Sequence, residues 1–135
     1  MAKKADKRPP VAVGHVSLHV KDVPAASAFM QTLGLRHVFE NEKQTFAVLE
    51  LRGGTHLILN KSRKKIREGA VAPVDLMVDD VKAMRAYCKT QKLKPSKITT
   101  GSVHRSFYVP GPDGWSIKIT SSHAGDRPVG GKHSV

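Results

Sequence analysis

Residues 13–35 read VGHVSLHVKDVPAASAFMQTLGL, and residues 71–93 read VAPVDLMVDDVKAMRAYCKTQKL. The two stretches align without a gap at a shift of 58 residues and share ten identities over 23 positions. At a shift of 60 residues, Gly54 also falls on Gly114. Unrelated amphipathic segments do not agree this often, so the sequence predicts two copies of one unit of about sixty residues.

Each copy carries the same signals for a strand followed by a helix. In the first copy, Val16, Leu18 and Val20 alternate with polar residues, which is typical of a half-buried strand. Asp22 and its counterpart Asp80 stand where the N-cap of a helix belongs. The apolar stripe of each helix is expected to lie in the core, and it comprises Val23, Ala26, Phe29, Met30 and Leu33 in the first copy and Val81, Met84, Tyr87 and Cys88 in the second.

Three short strands complete each unit. Gly34 is predicted to end the first helix, and the Gly-rich connections near Gly53 and Gly111 are typical of turns. The strands are predicted at 35–42, 45–52 and 55–61 in the first copy and at 95–101, 103–109 and 115–121 in the second. Each unit is therefore β-α-β-β-β, and the predicted fold class is α+β with two tandem units.

The repeat also predicts how the chain is divided. Residues 11–122 form one domain, in which a linker at 62–69 joins the units 11–61 and 70–122. Residues 1–10 are expected to be a flexible basic tail, and residues 123–135, rich in Gly, Ser and Pro, a second flexible tail.

Charge is the unusual feature of the composition. The 135 residues carry 23 Lys and Arg against 11 Asp and Glu, a net charge of +12. The two tails contribute +3 and +1, so the domain itself retains +8. A charge of this size favours anionic ligands or nucleic acid and disfavours cationic ligands.

Other features exclude several classes of protein. Cys88 is the only cysteine, which excludes an internal disulfide. No run of about 18 apolar residues is present, so no transmembrane helix and no membrane partner are expected. The basic N-terminal segment is not followed by the apolar stretch of a signal peptide, and a cytoplasmic location is therefore expected.

The linker region 61–69 reads KSRKKIREG and holds five basic residues. It allows two interpretations, a solvated connection between the repeats or a loop that contacts phosphate groups. The first is preferred, because a basic run without aromatic partners is weak evidence for nucleic-acid binding.

The sequence resembles the vicinal-oxygen-chelate superfamily, which includes glyoxalases, extradiol dioxygenases, fosfomycin-thiol transferases and bleomycin-resistance proteins. The resemblance covers residues 13–122 and rests on GHVSLHVKD at 14–22, TLGL at 32–35 and SFYVPGPDGWSIKI at 106–119. Gly111 replaces the usual first Asp of the turn in the last motif. The resemblance implies curled mixed sheets that surround a cavity, and a homodimer.

The same resemblance implies four metal-ligand positions, on the first and last strands of each unit. His15 matches one of them, whereas the others fall on Pro73, Ile58 and Lys118. Pro and Ile cannot coordinate a metal, and an ammonium would repel one. The sequence therefore predicts no metal and no cofactor, although a relocated site made by His15, His56 and His104 stays open.

Alternation along the strands predicts which side chains face the cavity. The ligand-binding candidates are Ser17, His19, Glu50, His56, Asp75, His104 and Ser106. His15, Lys118 and Tyr108 are the catalytic candidates, as a general base and two groups that stabilise an oxyanion. Ser106 and Tyr108 also resemble the Ser-x-Tyr strand with which fosfomycin-thiol transferases hold an anionic substrate.

Each of these candidates also has a structural interpretation. Lys118 could pair with Asp75 or Glu50, with or without a ligand, because a buried charge needs a partner. His15 could be a hydrogen-bonded histidine without a chemical role, and Tyr108 could serve packing alone. Cys88 is expected in the core, as an unreactive thiol.

Three functions follow, from different classes. The preferred one is a metal-free protein that binds a small anionic or neutral organic ligand in its cavity. The first alternative is a metal-independent lyase, isomerase or transferase that uses His15 with Lys118 and Tyr108. The second alternative is a protein that binds nucleic acid or another polyanion through its basic surface.

Overall fold

The computed structural model describes residues 9–121. The first unit contains β1 (His15–Val20), α1 (Val23–Thr32), β2 (Arg36–Glu40), β3 (Phe46–Glu50) and β4 (His56–Lys61). The second unit contains β5 (Leu76–Val78), α2 (Val81–Thr90), β6 (Thr99–Thr100), β7 (Arg105–Pro110) and β8 (Ser116–Ser121). Most of the first predicted tail, at 1–8, and all of the second lie outside the described residues.

Each unit forms its own four-stranded mixed sheet. The strand order is β1-β4-β3-β2 in the first sheet and β5-β8-β7-β6 in the second. In both sheets the first strand of the unit runs parallel to the last, and the other neighbours are antiparallel. The α+β fold with two tandem βαβββ units, predicted from the repeat, is therefore confirmed.

The two helices begin at the predicted caps. The Asp22 side chain accepts a hydrogen bond from Ala25 N at 3.0 Å, and the Asp80 side chain accepts one from Ala83 N at 2.9 Å. In each helix this bond satisfies an amide that has no partner within the first turn.

Both helices also end in the same backbone conformation. Gly34 follows α1 with a φ of +114°, and its repeat counterpart Lys92 follows α2 with a φ of +59°. Leu35 N then donates to Met30 O, and Leu93 N donates to Cys88 O. The positive φ at the end of the helix thus occurs in both copies, although the second copy has Lys92 in place of glycine.

The core lies between each sheet and its helix. Leu18, Leu57 and Leu59 from the first sheet are at most 2% exposed, and they belong to the same buried cluster as Ala26 and Met30 of α1. The second unit repeats this arrangement. We call the face of each sheet opposite its helix the open face.

Two details differ from the sequence prediction. Tyr87, placed on the buried stripe of the second helix, is 42% exposed, and its hydroxyl donates to Thr32 O at 2.6 Å. β6 covers only Thr99–Thr100 instead of 95–101, because Tyr108 N bonds the Ser96 side chain rather than a backbone carbonyl. The other strands begin and end within two residues of their predicted bounds.

Two of the contacts between the units occupy equivalent places in the repeat. Asp113, in the turn before β8, accepts hydrogen bonds from Lys21 N at 2.5 Å and Asp22 N at 3.3 Å. Arg52, in the corresponding turn before β4, donates to Asp79 at 3.0 and 3.2 Å. Asp79 is the repeat counterpart of Lys21, so each unit offers the end of its first strand to the turn of the other.

Neither described helix is long and apolar enough to span a membrane.

Candidate functional site

The structure divides the candidate residues of the sequence analysis between the two sheets. His15, Ser17 and His19 lie on β1, Glu50 ends β3 and His56 begins β4. His104 precedes β7, Ser106 and Tyr108 lie on β7, and Lys118 lies on β8. Asp75 is exposed just before β5. The first sheet therefore carries five of the ten candidates and the second unit the other five.

A row of charged and titratable side chains crosses one end of the open face of the first sheet. In the strand register His15 lies opposite His56, and Glu50 lies opposite both His56 and Arg36. Arg36 donates to Glu50 Oε1 at 2.7 and 2.9 Å, and Glu50 Oε2 lies 3.8 Å from His56 Nε2. The ring centroids of His15 and His56 are 5.7 Å apart. The carboxylate in this row is thus already balanced by a guanidinium.

Arg36 was missed by the sequence analysis. Its pairing with Glu50 follows from the register of the hairpin between β2 and β3, which alternation along single strands does not give. The hairpin pairing of residues 36 and 50 is the signal that could have identified it.

The rest of the first open face is mostly apolar. Ser17 lies opposite Ile58, which in turn lies opposite Val48. At the far end, the His19 ring packs edge-on against Trp115 with centroids 5.2 Å apart, and Trp115 Nε1 donates to His19 O at 2.9 Å. His19 is therefore part of the contact between the units.

Lys118 stands in the middle of the second open face. It is half-buried and lies opposite Tyr108 in the register. Among residues 9–121, no carboxylate lies within the 4.0 Å that would make an ion pair with its ammonium. Pairing with Glu50 or Asp75 is thus not formed, and Glu50 pairs with Arg36 instead.

Lys118 shares a recess of about 370 Å³ with three other candidates, His104, Ser106 and Tyr108. Ser106 Oγ donates to Thr120 Oγ1 at 3.1 Å, and His104 Nδ1 lies 2.9 Å from Ser121 O. Within this polar pocket, the Lys118 ammonium and the Tyr108 hydroxyl are the donors available to an oxyanion, since the Ser106 hydroxyl donates to Thr120.

A second recess of about 360 Å³ adjoins the first and shares Tyr108 with it. Its walls include Pro110, Gly111 and Trp115, and its rim includes Lys94 and Glu68. This recess exposes more apolar than polar surface. The second unit thus offers a polar pocket and a mainly apolar one, with Tyr108 lining both.

Cys88 is fully buried in α2, as expected for a core residue. Burial raises the pKa of its thiol, because the thiolate would lose its hydration. A thiol held in its protonated form is a poor nucleophile.

The residues at the implied metal positions do not fit a divalent ion. Only His15 has a donor atom, and Lys118 brings a positive charge to another of the four positions. In the part of the chain that the structure describes, no three His, Cys, Asp or Glu side chains form a group that could hold a metal. His15 and His56 are neighbours on the first sheet, whereas His104 belongs to the second unit.

Comparison with solved structures identifies chains of the same architecture. Lactoylglutathione lyase from Agrobacterium tumefaciens gives a TM-score of 0.71 at 18% identity, covering 86% of this chain and 97% of that one. A glyoxalase/bleomycin resistance protein/dioxygenase from Alicyclobacillus acidocaldarius gives 0.65 at 17% identity, covering 84% and 93%. The oxidase ChaP-H2 gives 0.65 at 20% identity, covering 93% and 100%.

No protein-family model and no curated protein matches the sequence of this chain. The structural likeness extends over nearly the whole of each neighbour. The chain has the fold of the glyoxalase/bleomycin-resistance/dioxygenase proteins, that of the vicinal-oxygen-chelate superfamily.

Proposed function

We propose that this protein binds a small organic molecule with an anionic group in the Lys118 recess, without a metal ion. The observation that carries the proposal is the half-buried Lys118 ammonium, which has no carboxylate partner among residues 9–121. A cation removed from water is costly unless an anion compensates for it. A carboxylate or phosphate of the ligand supplies that compensation, and a neutral ligand would do so in part through a carbonyl oxygen.

The neighbouring groups favour the same chemistry. The Tyr108 hydroxyl can donate to a ligand oxygen beside the ammonium, whereas the Ser106 hydroxyl already donates to Thr120 Oγ1 and is left as an acceptor. The apolar recess on the other side of Tyr108 accommodates the body of the molecule, and the net charge of +8 on the domain attracts anions. The ligand is therefore an amphipathic anion, with its charged end at Lys118 and its apolar part towards Trp115.

Calorimetry with a matched ligand series tests this function. The series is an aryl phosphonate, the aryl carboxylate, its methyl ester and the corresponding arylmethylammonium ion. Affinity should fall in that order. A chelator should leave the affinities unchanged, and metal analysis should find no metal in stoichiometric amount in the protein. Equal binding of all four compounds, or binding abolished by the chelator, would contradict the proposal.

A homodimer is part of the proposal, because the family resemblance implies one. Light scattering after size exclusion should give twice the mass of one chain. A monomer at the concentrations used for calorimetry would remove this part and leave the ligand site in place.

A metal-independent enzyme is the second candidate, favoured by the position of His15. Its ring lies beside His56, which Glu50 in turn approaches, so the first sheet offers a group able to accept a proton. If turnover of a bound anion is found, His15→Ala should lower kcat while Lys118→Gln should chiefly raise KM. Unchanged kcat in His15→Ala would exclude His15 as the base.

A further inference from the structure

A cluster of exposed cations lies away from both open faces, at the end of the first sheet where α1 begins. We define the basic surface as Lys21, Lys43, Lys61, Arg63, Lys64 and Lys65, all of them exposed. Three of these residues, Lys21, Lys43 and Lys61, line one polar recess of about 290 Å³. They come from three separate parts of the first unit, namely the end of β1, the turn between β2 and β3, and the end of β4.

Backbone hydrogen bonds hold these three segments together. Lys61 N donates to Thr45 O at 2.8 Å, which joins the end of β4 to the turn that carries Lys43. Ser62 N donates to Val20 O at 2.9 Å, which joins the start of the linker to the end of β1. The cations are therefore presented by a fixed backbone, and little further ordering is needed when they bind.

The linker is anchored as well. Lys64 N donates to Ser62 Oγ at 3.1 Å, and Ile66 packs against the core. The solvated connection preferred in the sequence analysis is thus a defined segment that displays Arg63, Lys64 and Lys65 to solvent.

The nearby carboxylates offset the basic surface only in part. Asp22 lines the recess and caps α1, and Asp113 accepts backbone amides, so each keeps one negative charge beside the six cations. Among residues 9–121, none of the six cations forms an ion pair. The positive charges that exceed these carboxylates repel one another, and a polyanion relieves this repulsion while releasing its own counterions.

We propose that the basic surface binds the phosphate backbone of a double-stranded nucleic acid, independently of base sequence. A duplex is favoured over a single strand because no aromatic residue lines the recess or occurs in 61–69, so unpaired bases have nothing to stack on. It is favoured over a membrane because Ile66, the only large apolar side chain of the linker, packs inward. This inference is independent of the ligand site on the second sheet.

Fluorescence anisotropy with a labelled 20-bp DNA duplex, at several salt concentrations, tests the inference. Four to six phosphate contacts predict a slope of log K against log salt of about −3.5 to −5.5. In the triple variant Lys21→Gln/Lys43→Gln/Lys61→Gln the slope should become shallower by about 3. The control Lys89→Gln/Lys92→Gln/Lys97→Gln removes the same net charge from another surface and should change the slope by less than about 1.

Three results would overturn the proposal. The first is an equal effect of the two triple variants, which would indicate attraction by net charge alone. The second is tighter binding of a 20-nucleotide single strand or of phosphatidylserine vesicles than of the duplex. The third is no binding of the duplex at low salt. Melting temperatures of all variants, expected within a few degrees of the parent, ensure that folded proteins are compared.

Discussion

The open faces of the two sheets are built on equivalent backbones but have inverted polarity. At a shift of 60 residues, Ile58 of the first sheet corresponds to Lys118 of the second. Their cross-strand neighbours are Val48 and Tyr108 respectively. The middle of the first face is thus apolar, whereas the middle of the second carries an ammonium beside a phenol.

The ends of the two faces show the opposite difference. His56 and Glu50 of the first sheet correspond to Ser116 and Pro110 of the second. Glu50 on the first face pairs with Arg36 and approaches His56, whereas Lys118 on the second face forms no ion pair within the described residues. The two copies therefore share the same backbone scaffold. Only the second copy has a half-buried cation on its open face, Lys118, whose charge an anionic ligand can compensate.

The largest effect is expected from giving the second face the residue of the first, in Lys118→Ile. Affinity for an aryl carboxylate should fall at least about 30-fold, because a charge-assisted contact worth 2 kcal/mol or more is lost. Stability should stay the same or rise, since a half-buried cation is removed. Calorimetry and thermal melts measure the two effects.

The matched control is Lys97→Gln, which removes one positive charge from an exposed site. It should leave the affinity within about twofold of the parent. If both variants weaken binding equally, the difference between the two faces has no bearing on the ligand.

The second comparison concerns the two equivalent contacts between the units, one at Asp113 and one at Asp79. Asp113→Gly keeps the left-handed backbone, at a φ of +55°, but removes the acceptor of two amides, and it should lower the free energy of unfolding by about 1–2 kcal/mol. Asp79→Asn breaks the exposed pair with Arg52, and the loss of that pair should cost about 0.5 kcal/mol. Urea denaturation measures both losses.

Salt separates the two contacts further. The pKa of Arg52 is raised, chiefly by its hydrogen bonds to Asp79, so the guanidinium stays charged and the pair responds to ionic strength rather than to pH near neutrality. In about 1 M salt the part of the Asp79→Asn loss that comes from the pair with Arg52 should disappear, because the Debye length falls to about 3 Å. If Asp79→Asn lowers the free energy of unfolding as much as Asp113→Gly does, and salt leaves that loss unchanged, the two contacts are of the same kind.

An effect smaller than that of Asp113→Gly, and opposite in sign, is expected where the second helix departs from the first. Lys92 adopts the left-handed conformation that Gly34 adopts in the first unit. Lys92→Gly should therefore raise the free energy of unfolding by about 0.5–1 kcal/mol. The control is Lys92→Ala, which keeps a side chain in the strained conformation and should not raise the free energy of unfolding. If Lys92→Ala stabilises the protein as much as Lys92→Gly does, the effect comes from the lost charge.

The sequence predicts the scaffold well because the residues that repeat are those that form the strands and begin the helices. Alternating apolar residues specify the first strands, and Asp22 and Asp80 specify both helix starts. For Tyr87, helical spacing predicts the wrong environment. Its spacing is that of a core residue, but its hydroxyl reaches Thr32 of the other unit, which only the packing of the units decides.

The candidate site is predicted less completely, since it depends on neighbours across strands. Alternation identifies Lys118, Tyr108 and Ser106 as residues of one face, and the structure places them in one recess. The partner of a charge is set by strand register, so the pairing of Glu50 with Arg36, and the absence of such a pair for Lys118 among residues 9–121, required the structure.

A crystal structure with a bromine-substituted aryl carboxylate tests the central claim most directly, since anomalous scattering locates the bromine without bias. The account predicts the carboxylate within hydrogen-bonding distance of Lys118 Nζ and the bromine in the adjoining apolar recess near Pro110. Density for the carboxylate beside His15 and His56 on the first sheet, with the Lys118 recess empty, would contradict it.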